Sequence, residues 1–202
     1  MKSPDVSGML RWPNVPACYG WLSLDRRGQW RMQNDPVVHH GLIAFLNRQY
    51  AHDEQGNYFV QNGPQRVFVE LDYTPWVLRL SSENTLLPQN QRLALETHTG
   101  EPVKDILSVA VDEEGNLLLE LPDGIALLCD RDLAAFLGCL RQANGEAADD
   151  AALLDLLAQT PGTLSTLTLQ WQEQRLPVHL LRRAEVSQRY GFVSKPSAPP
   201  KG

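Results

Sequence analysis

No apolar run in this sequence is long enough to cross a bilayer. The uninterrupted hydrophobic stretches, such as Leu117 to Leu119 and Ile125 to Cys129, are a few residues each, whereas a spanning helix needs roughly 20, so no membrane partner is expected. Cysteine is scarce and odd in number: Cys18, Cys129 and Cys139 are the three. With no charged-then-apolar leader at the start, they predict reduced thiols and a cytoplasmic location. An excess of positive charge is missing too. With 18 Lys and Arg against 24 Asp and Glu, the formal net charge is -6, and the field that drives non-specific DNA or RNA binding is absent, so no nucleic acid is expected as a partner. Three signatures of catalysis are also lacking: a Gly-x-Ser-x-Gly elbow, a Gly-x4-Gly-Lys phosphate loop and a dinucleotide fingerprint, which leaves no motif-based case for an enzyme.

What is present is ordinary globular material. The 202 residues are 43% hydrophobic and 21% charged, enough for one large domain or two small ones sharing a core. The charge is uneven. Acidic side chains crowd the stretch from Asp112 to Asp155, where Arg131 and Arg141 are the only cations, and the balance reverses from Arg175 onward, with Glu185 the lone acid. Such a distribution describes a solvated acidic face and a basic tail, with a docking surface for an oppositely charged partner as the alternative.

One short pattern recurs. Trp21 to Leu24 alternates as a strand, Asp25-Arg-Arg-Gly28 supplies a reversal, and Gln29 to Met32 alternates again. The spacing returns at Asp53-Glu-Gln-Gly56 before Tyr58-Phe-Val60, and at Asp112-Glu-Glu-Gly115 between Leu107–Val111 and Leu117–Leu121. An Asp opening a turn accepts from backbone N–H groups ahead of it, and a Gly at the fourth position takes the positive φ where the next strand resumes. Two amphipathic helices are expected as well, over His39 to Tyr50 (Leu42, Phe45, Leu46, Tyr50) and over Asp130 to Gln142 (Leu133, Phe136, Leu137, Leu140), the second capped by Asp130. Their wording is similar, Ile43-Ala-Phe-Leu46 against Ala134-Ala-Phe-Leu137. Further strands are expected at Gln65–Leu71 and Trp76–Leu80, joined as a hairpin across Asp72–Pro75, at Arg92–Thr97, and as a last pair at Thr166–Trp171 and Arg175–Leu181; Asp149 and Asp150 are placed to cap a helix through Ala158.

These elements predict an α+β fold in which antiparallel β-hairpins pack on amphipathic helices and a hairpin-helix unit is internally repeated. Residues 1–19 read as an extended N-terminal arm, 20–98 as the first half, 99–192 as a second half sharing or abutting its core, and 193–202 as a disordered tail.

From Gly20 to Trp76 the order of motifs is more telling than any one of them. Gly-x-Leu-x-Leu-Asp-x-x-Gly-x-Trp is followed by a Pro-led amphipathic helix, Asp53-Glu-x-Gly-x-Tyr-Phe-Val60, Gly63-Pro-x-Arg-Val67 and Asp72-x-x-Pro75-Trp76. Over roughly residues 12–112 this resembles the uncharacterised proteobacterial domain-of-unknown-function family numbered 1285, or a sister family. The resemblance implies an α+β fold with repeated hairpin motifs and a link to signalling or ligand sensing. It implies no catalytic residue.

The residues themselves offer little chemistry. His39 and His40 are adjacent, so on a helix they diverge by about 100° and cannot chelate one metal. His52, His98 and His179 have no metal-ligand spacing around them, and the Asp-x-x-Gly loops carry Gly at the fourth position, where a calcium loop needs it at the sixth. No metal or cofactor is expected, and no catalytic residue is assigned. The better lead is aromatic: Trp12, Tyr19, Trp21, Trp30, Tyr73 and Trp76 fall in the first half with Arg66 near them. Large rings of this kind pack as ordinary core or, beside an arginine, make a ligand cleft or a protein-binding hot spot. The expected site is therefore Trp12, Tyr19, Trp21, Arg66, Tyr73 and Trp76, on a non-enzymatic ligand- or protein-binding module with a regulatory or signalling role and an unidentified small ligand or protein as partner. The alternative is a small-molecule, hydrolase-like enzyme using Cys18 or one of His39, His52 and His98.

Overall fold

The computed structural model describes residues 13, 15–81, 94–160, 162 and 164–198. All three Asp-x-x-Gly segments are hairpin turns of one design. In each, the Gly N–H donates to the Asp carbonyl (2.9, 3.1 and 2.9 Å), and the Gly sits at φ +70°, +78° and +81°. The Asp carboxylate accepts from two backbone amides: those of Arg27 and Gln29 at Asp25, Gln55 and Asn57 at Asp53, and Glu114 and Asn116 at Asp112. The side-chain amides of Asn57 and Asn116 complete the second and third clasps, while Arg31 reaches Asp25 at 3.3 Å. Thr97–Gly100 and Gln142–Gly145 repeat the backbone closure with Thr and Gln in place of Asp.

The chain divides into two compact units, Met1–Pro75 with Gly191–Gly202, and Trp76–Tyr190. The first holds β1 (Ala17–Leu24), β2 (Trp30–Met32), β3 (Asp35–Pro36), α1 (His40–Gln49), β4 (Tyr50–His52), β5 (Tyr58–Asn62) and β6 (Gln65–Leu71). The second holds β7 (Trp76–Leu80), β8 (Leu95–Thr97), β9 (Ser108–Asp112), β10 (Leu117–Leu121), β11 (Gly124–Leu128), α2 (Leu133–Leu137), β12 (Leu140–Arg141), α3 (Asp150–Ala158), β13 (Leu164–Trp171), β14 (Gln174–Leu181) and α4 (Arg183–Arg189).

The first sheet has the order β3-β2-β1-β6-β5-β4, and the second β12-β13-β14-β9-β10-β11-β7-β8. Apart from β7, β8, α3 and α4, the second has the order of the first: a meander of three strands, a helix, then three more strands that bring the last beside the first. The joining pair is parallel in both, β1 with β6 and β9 with β14, while the hairpin ladders are antiparallel. The architecture is α+β.

Alternation places each core. In the first unit Cys18, Leu22 and Leu24 on β1 and Val67, Val69 and Leu71 on β6 are all buried, and α1 adds Leu42 and Leu46. The α1 start is closed by His39, whose Nδ1 accepts from the Leu42 N–H at 3.2 Å. In the second unit Val109 and Val111, Leu117 and Leu119, and Val178 and Leu180 join Phe136, Leu156 and Trp171 in one buried cluster. The α3 cap falls where expected, Asp149 accepting from the Ala152 N–H at 2.8 Å.

Three local expectations need correction. Strands β6 and β7 do not form a hairpin across Asp72–Pro75. Both edges of β6 are taken, by β1 and β5, so no ladder is left for β7, which pairs with β11 and β8. The second helix is shorter than Asp130 to Gln142. It ends before Gly138, and Leu140 leaves to pair with Leu169 as an edge strand. Asp130 is not its cap: Asp132 holds that position, and its carboxylate accepts the Leu80 N–H at 2.9 Å. The stretch after Phe192, expected to lack partners, is bound to the first unit at its start. The Val193 N–H donates to Gly56 O at 2.9 Å, the Leu71 N–H donates to Ser194 O at 2.8 Å, and Pro196 is buried. Small and prolyl residues carry little side-chain entropy to lose, and two backbone hydrogen bonds are enough to anchor them. Residues 199–202 lie outside the described residues. Among the described residues no helix is long and apolar enough to cross a membrane.

Candidate functional site

The six aromatic and basic candidates go to different places. Trp12 lies outside the described residues. Tyr19 and Trp21 are half-buried in β1, at a bulge where four steps of β1 (Cys18 to Leu22) face two steps of β6 (Val67 to Val69). Tyr19 stacks on Phe68, centroids 4.5 Å apart and planes within 3°. Phe68 abuts Phe59 at 5.9 Å, and the exposed Arg66 covers the Phe59 ring at 4.5 Å. Tyr19 and Arg66 therefore share one aromatic stack. Tyr73 is buried, with the Arg26 guanidinium 5.6 Å from its ring. Trp30 is core: its indole N–H donates to Asn47 Oδ1 at 2.7 Å, and Tyr50 meets its ring edge-on at 5.2 Å.

Trp76 belongs to the second unit, where it walls a cleft of about 340 Å³. Its indole N–H donates to the Asp123 carbonyl at 3.0 Å, and His98 packs 5.6 Å from it at 42°. One hydrogen bond and one ring contact on this half-buried indole fix its plane. The rest of the lining comes from Thr97 at the end of β8, residues 101–105 that follow the Thr97–Gly100 turn, and Leu121, Pro122 and Asp123 at the β10–β11 turn. Pro102, Val103, Leu121 and Pro122 supply apolar lining, and Glu101, Lys104, Asp105 and Asp123 bring charge. The volume falls within the usual range of small-molecule sites, and an apolar wall with a few convergent polar groups is their usual composition.

His98 is buried, and its ring is neutral. Burial lowers its pKa from 6.5 to about 3, helped by the positive charge of Arg79. Its Nδ1 accepts from the Val77 N–H at 3.4 Å, which ties the Trp76 end of β7 to the Thr97–Gly100 turn. The other candidates for chemistry are scattered. Cys18 and Cys129 are buried and Cys139 half-buried, all three free. Burial pushes each thiol upward, against the thiolate that a nucleophile needs. His39 is occupied as a helix cap, and the exposed His52 packs on Tyr58 at 5.2 Å. Among the described residues no three His, Cys, Asp or Glu side chains gather as a metal site requires.

Trp76, singled out in the sequence, lines this cleft; Glu101, Lys104, Asp105 and Asp123 line it too but were not singled out, because they lie on a loop and a tight turn with no periodicity. The available signal was Thr97-His-Thr-Gly100: Thr can open the same turn as Asp, and the Glu101 N–H donates to Thr97 Oγ1 at 3.1 Å.

Fold and cleft together define an α+β protein of two sheets with one shared strand order and an aromatic-walled recess in the second. The chain matches the family described as "Protein of unknown function (DUF2946)" over residues 2–197 and belongs to it. No curated protein matches the sequence. In fold the chain is similar to the crystal structure of a DUF1285 family protein from Silicibacter pomeroyi DSS-3, with a TM-score of 0.52 and 14% identity over 89% of each chain. A DUF1285 family protein from Shewanella baltica OS155 matches at a TM-score of 0.39 and 13% identity, over 57% of this chain and 89% of that one. The resemblance to the DUF1285 family stands at the level of fold, and it reaches beyond the 12–112 stretch that carries the sequence pattern.

Proposed function

We propose that the protein is a non-enzymatic binding module, and that its ligand is a small molecule seated against Trp76 in the cleft of the second unit. The observation that carries this reading is a fixed tryptophan on the wall of a recess of about 340 Å³. A ring already held in place loses little freedom when a ligand stacks on it, and that pre-organisation favours binding. The aromatic stack of Tyr19, Phe68, Phe59 and Arg66 supports the fold of the first unit in this reading. The matching strand order of the two sheets further supports an internal duplication, one copy of which gained β7 and β8 and with them the recess.

The test is a fragment set of mixed charge titrated into the 15N-labelled protein, with the Trp76 indole N–H as the reporter and Trp76→Phe as the control. Binding compounds shift that resonance in a saturable way and lose affinity in the variant. A set in which no compound moves it, while the protein stays folded, refutes the cleft as a binding site.

A further inference from the structure

The charges around the cleft discriminate among ligands. Glu101, Asp105 and Asp123 face one cation, Lys104, among the lining residues. The side chains of Glu101, Lys104 and Asp105 are exposed and make no hydrogen bond or ion pair among the described residues. An anion brought here meets three carboxylates for one ammonium. A neutral apolar molecule covers the ring but strips water from the carboxylates without replacing its hydrogen bonds. An organic cation satisfies both halves of the lining, its charge against the tryptophan quadrupole and its N–H or methyl groups toward the carboxylates.

We infer that the ligand of this cleft is a small organic cation, an ammonium or guanidinium head held against Trp76 with Glu101, Asp105 and Asp123 as its counter-charges, an inference that rests on the cleft being the binding site. Two features of the ring agree with it. Tryptophan is the strongest of the aromatic side chains for cations, and its N–H edge, the positive rim that would repel one, is already spent on the Asp123 carbonyl. The neighbouring imidazole is kept uncharged by burial, so it adds no positive charge beside the ring.

A matched series tests this without knowing the natural ligand: 3,3-dimethylbutylammonium, 3,3-dimethylbutan-1-ol and 3,3-dimethylbutanoate share one apolar body and differ in charge. Each is titrated at low salt with the Trp76 indole N–H as the reporter. The ammonium compound is expected to bind about tenfold tighter than the alcohol, and the carboxylate not to bind. Glu101→Gln and Asp105→Asn each weaken the ammonium compound several-fold and leave the alcohol unchanged, whereas Lys104→Gln tightens it. Raising the salt toward 1 M, where the Debye length falls to about 3 Å, removes most of the difference. Agmatine and N-acetyl-arginine methylamide separate a free amine from a protein side chain as the source of the head, and binding of either upholds the cation. Alcohol or carboxylate binding as tightly as the ammonium compound overturns the inference and leaves the cleft reading standing. Silence of the ammonium compound overturns it as well, and silence of the whole fragment set overturns both.

Discussion

Acid should weaken this protein through His98. The ring is 7% exposed, accepts from the Val77 N–H, and has its pKa lowered to about 3 by burial and then by Arg79. In the unfolded chain the same imidazole titrates near 6.5. Below that pH the unfolded state takes up a proton that the folded state refuses, so stability is whole above pH 6.5 and drains away as the pH falls toward 3. Each unit between the two pKa values is worth 1.36 kcal/mol, so the loss is about 2 kcal/mol by pH 5 and approaches 4–5 kcal/mol near pH 3. His98→Gln keeps an acceptor for Val77 and removes the titration. Urea unfolding of both proteins, from pH 7.5 down to 4.5, isolates the residue, because the other titrating groups are common to the two. The variant should be the less stable above pH 7, by about 1–2 kcal/mol for lost packing, and the gap should close by about 2 kcal/mol as the pH reaches 5. Parallel curves, or an NMR titration placing the His98 ring near 6.5, would show that the imidazole is not desolvated as described.

Gly56→Ala should be costly, because its Cβ would fall 2.1 Å from the Gly191 carbonyl at φ +78°; a loss of about 2–4 kcal/mol is expected, read by thermal melting, and a loss under 1 kcal/mol would mean that the C-terminal strap does not press on that turn. Asp112→Ala removes a fully buried carboxylate and leaves two amides and the Asn116 side chain without their acceptor, and should cost about 3 kcal/mol. The half-exposed Asp53 should cost less on the same change, and equal losses would refute the role of burial. Thiol labelling with 5,5′-dithiobis(2-nitrobenzoic acid) at pH 7.5 should leave Cys18 and Cys129 unreacted until urea is added, with Cys139 first to react; fast labelling of Cys18 in the native protein would reopen the nucleophile reading.

The local chemistry of the chain was legible because it is carried by neighbours in sequence. An Asp that clasps the amides two and four residues ahead, with a Gly to finish the turn, needs nothing from the rest of the protein. The three hairpins therefore stand where the spacing placed them, as do the Asp149 cap and strands such as Gln65–Leu71 and Leu117–Leu121. Partner choice was not legible. Leu22 pairs with Val69 and Val178 with Val109, and no periodicity records such distant pairings. The same blindness put β7 in a hairpin with β6, whose two edges were already claimed. For the aromatic set, a buried ring and a ligand-facing ring look alike in sequence. Tyr73 is buried and Trp76 half-exposed, although only Pro75 and Thr74 separate them.

The symmetry of strand order also says where to look for function. In the first sheet β3 is an edge strand, and the turn before it, Gln33–Asn34, leads to nothing further on that side. In the second, the matching strand β11 is not an edge, because β7 pairs with it in parallel and β8 follows. Every lining residue of the cleft belongs either to that added hairpin and the loop after it or to the β10–β11 turn beside it. Each sheet needs the strands of the common order for its own stability. The added hairpin answers to no counterpart, and its loop side chains are free to vary in charge without disturbing a core. A recognition site is therefore easiest to build where the two sheets differ, and Trp76, at the first residue of the added hairpin, stands at that difference.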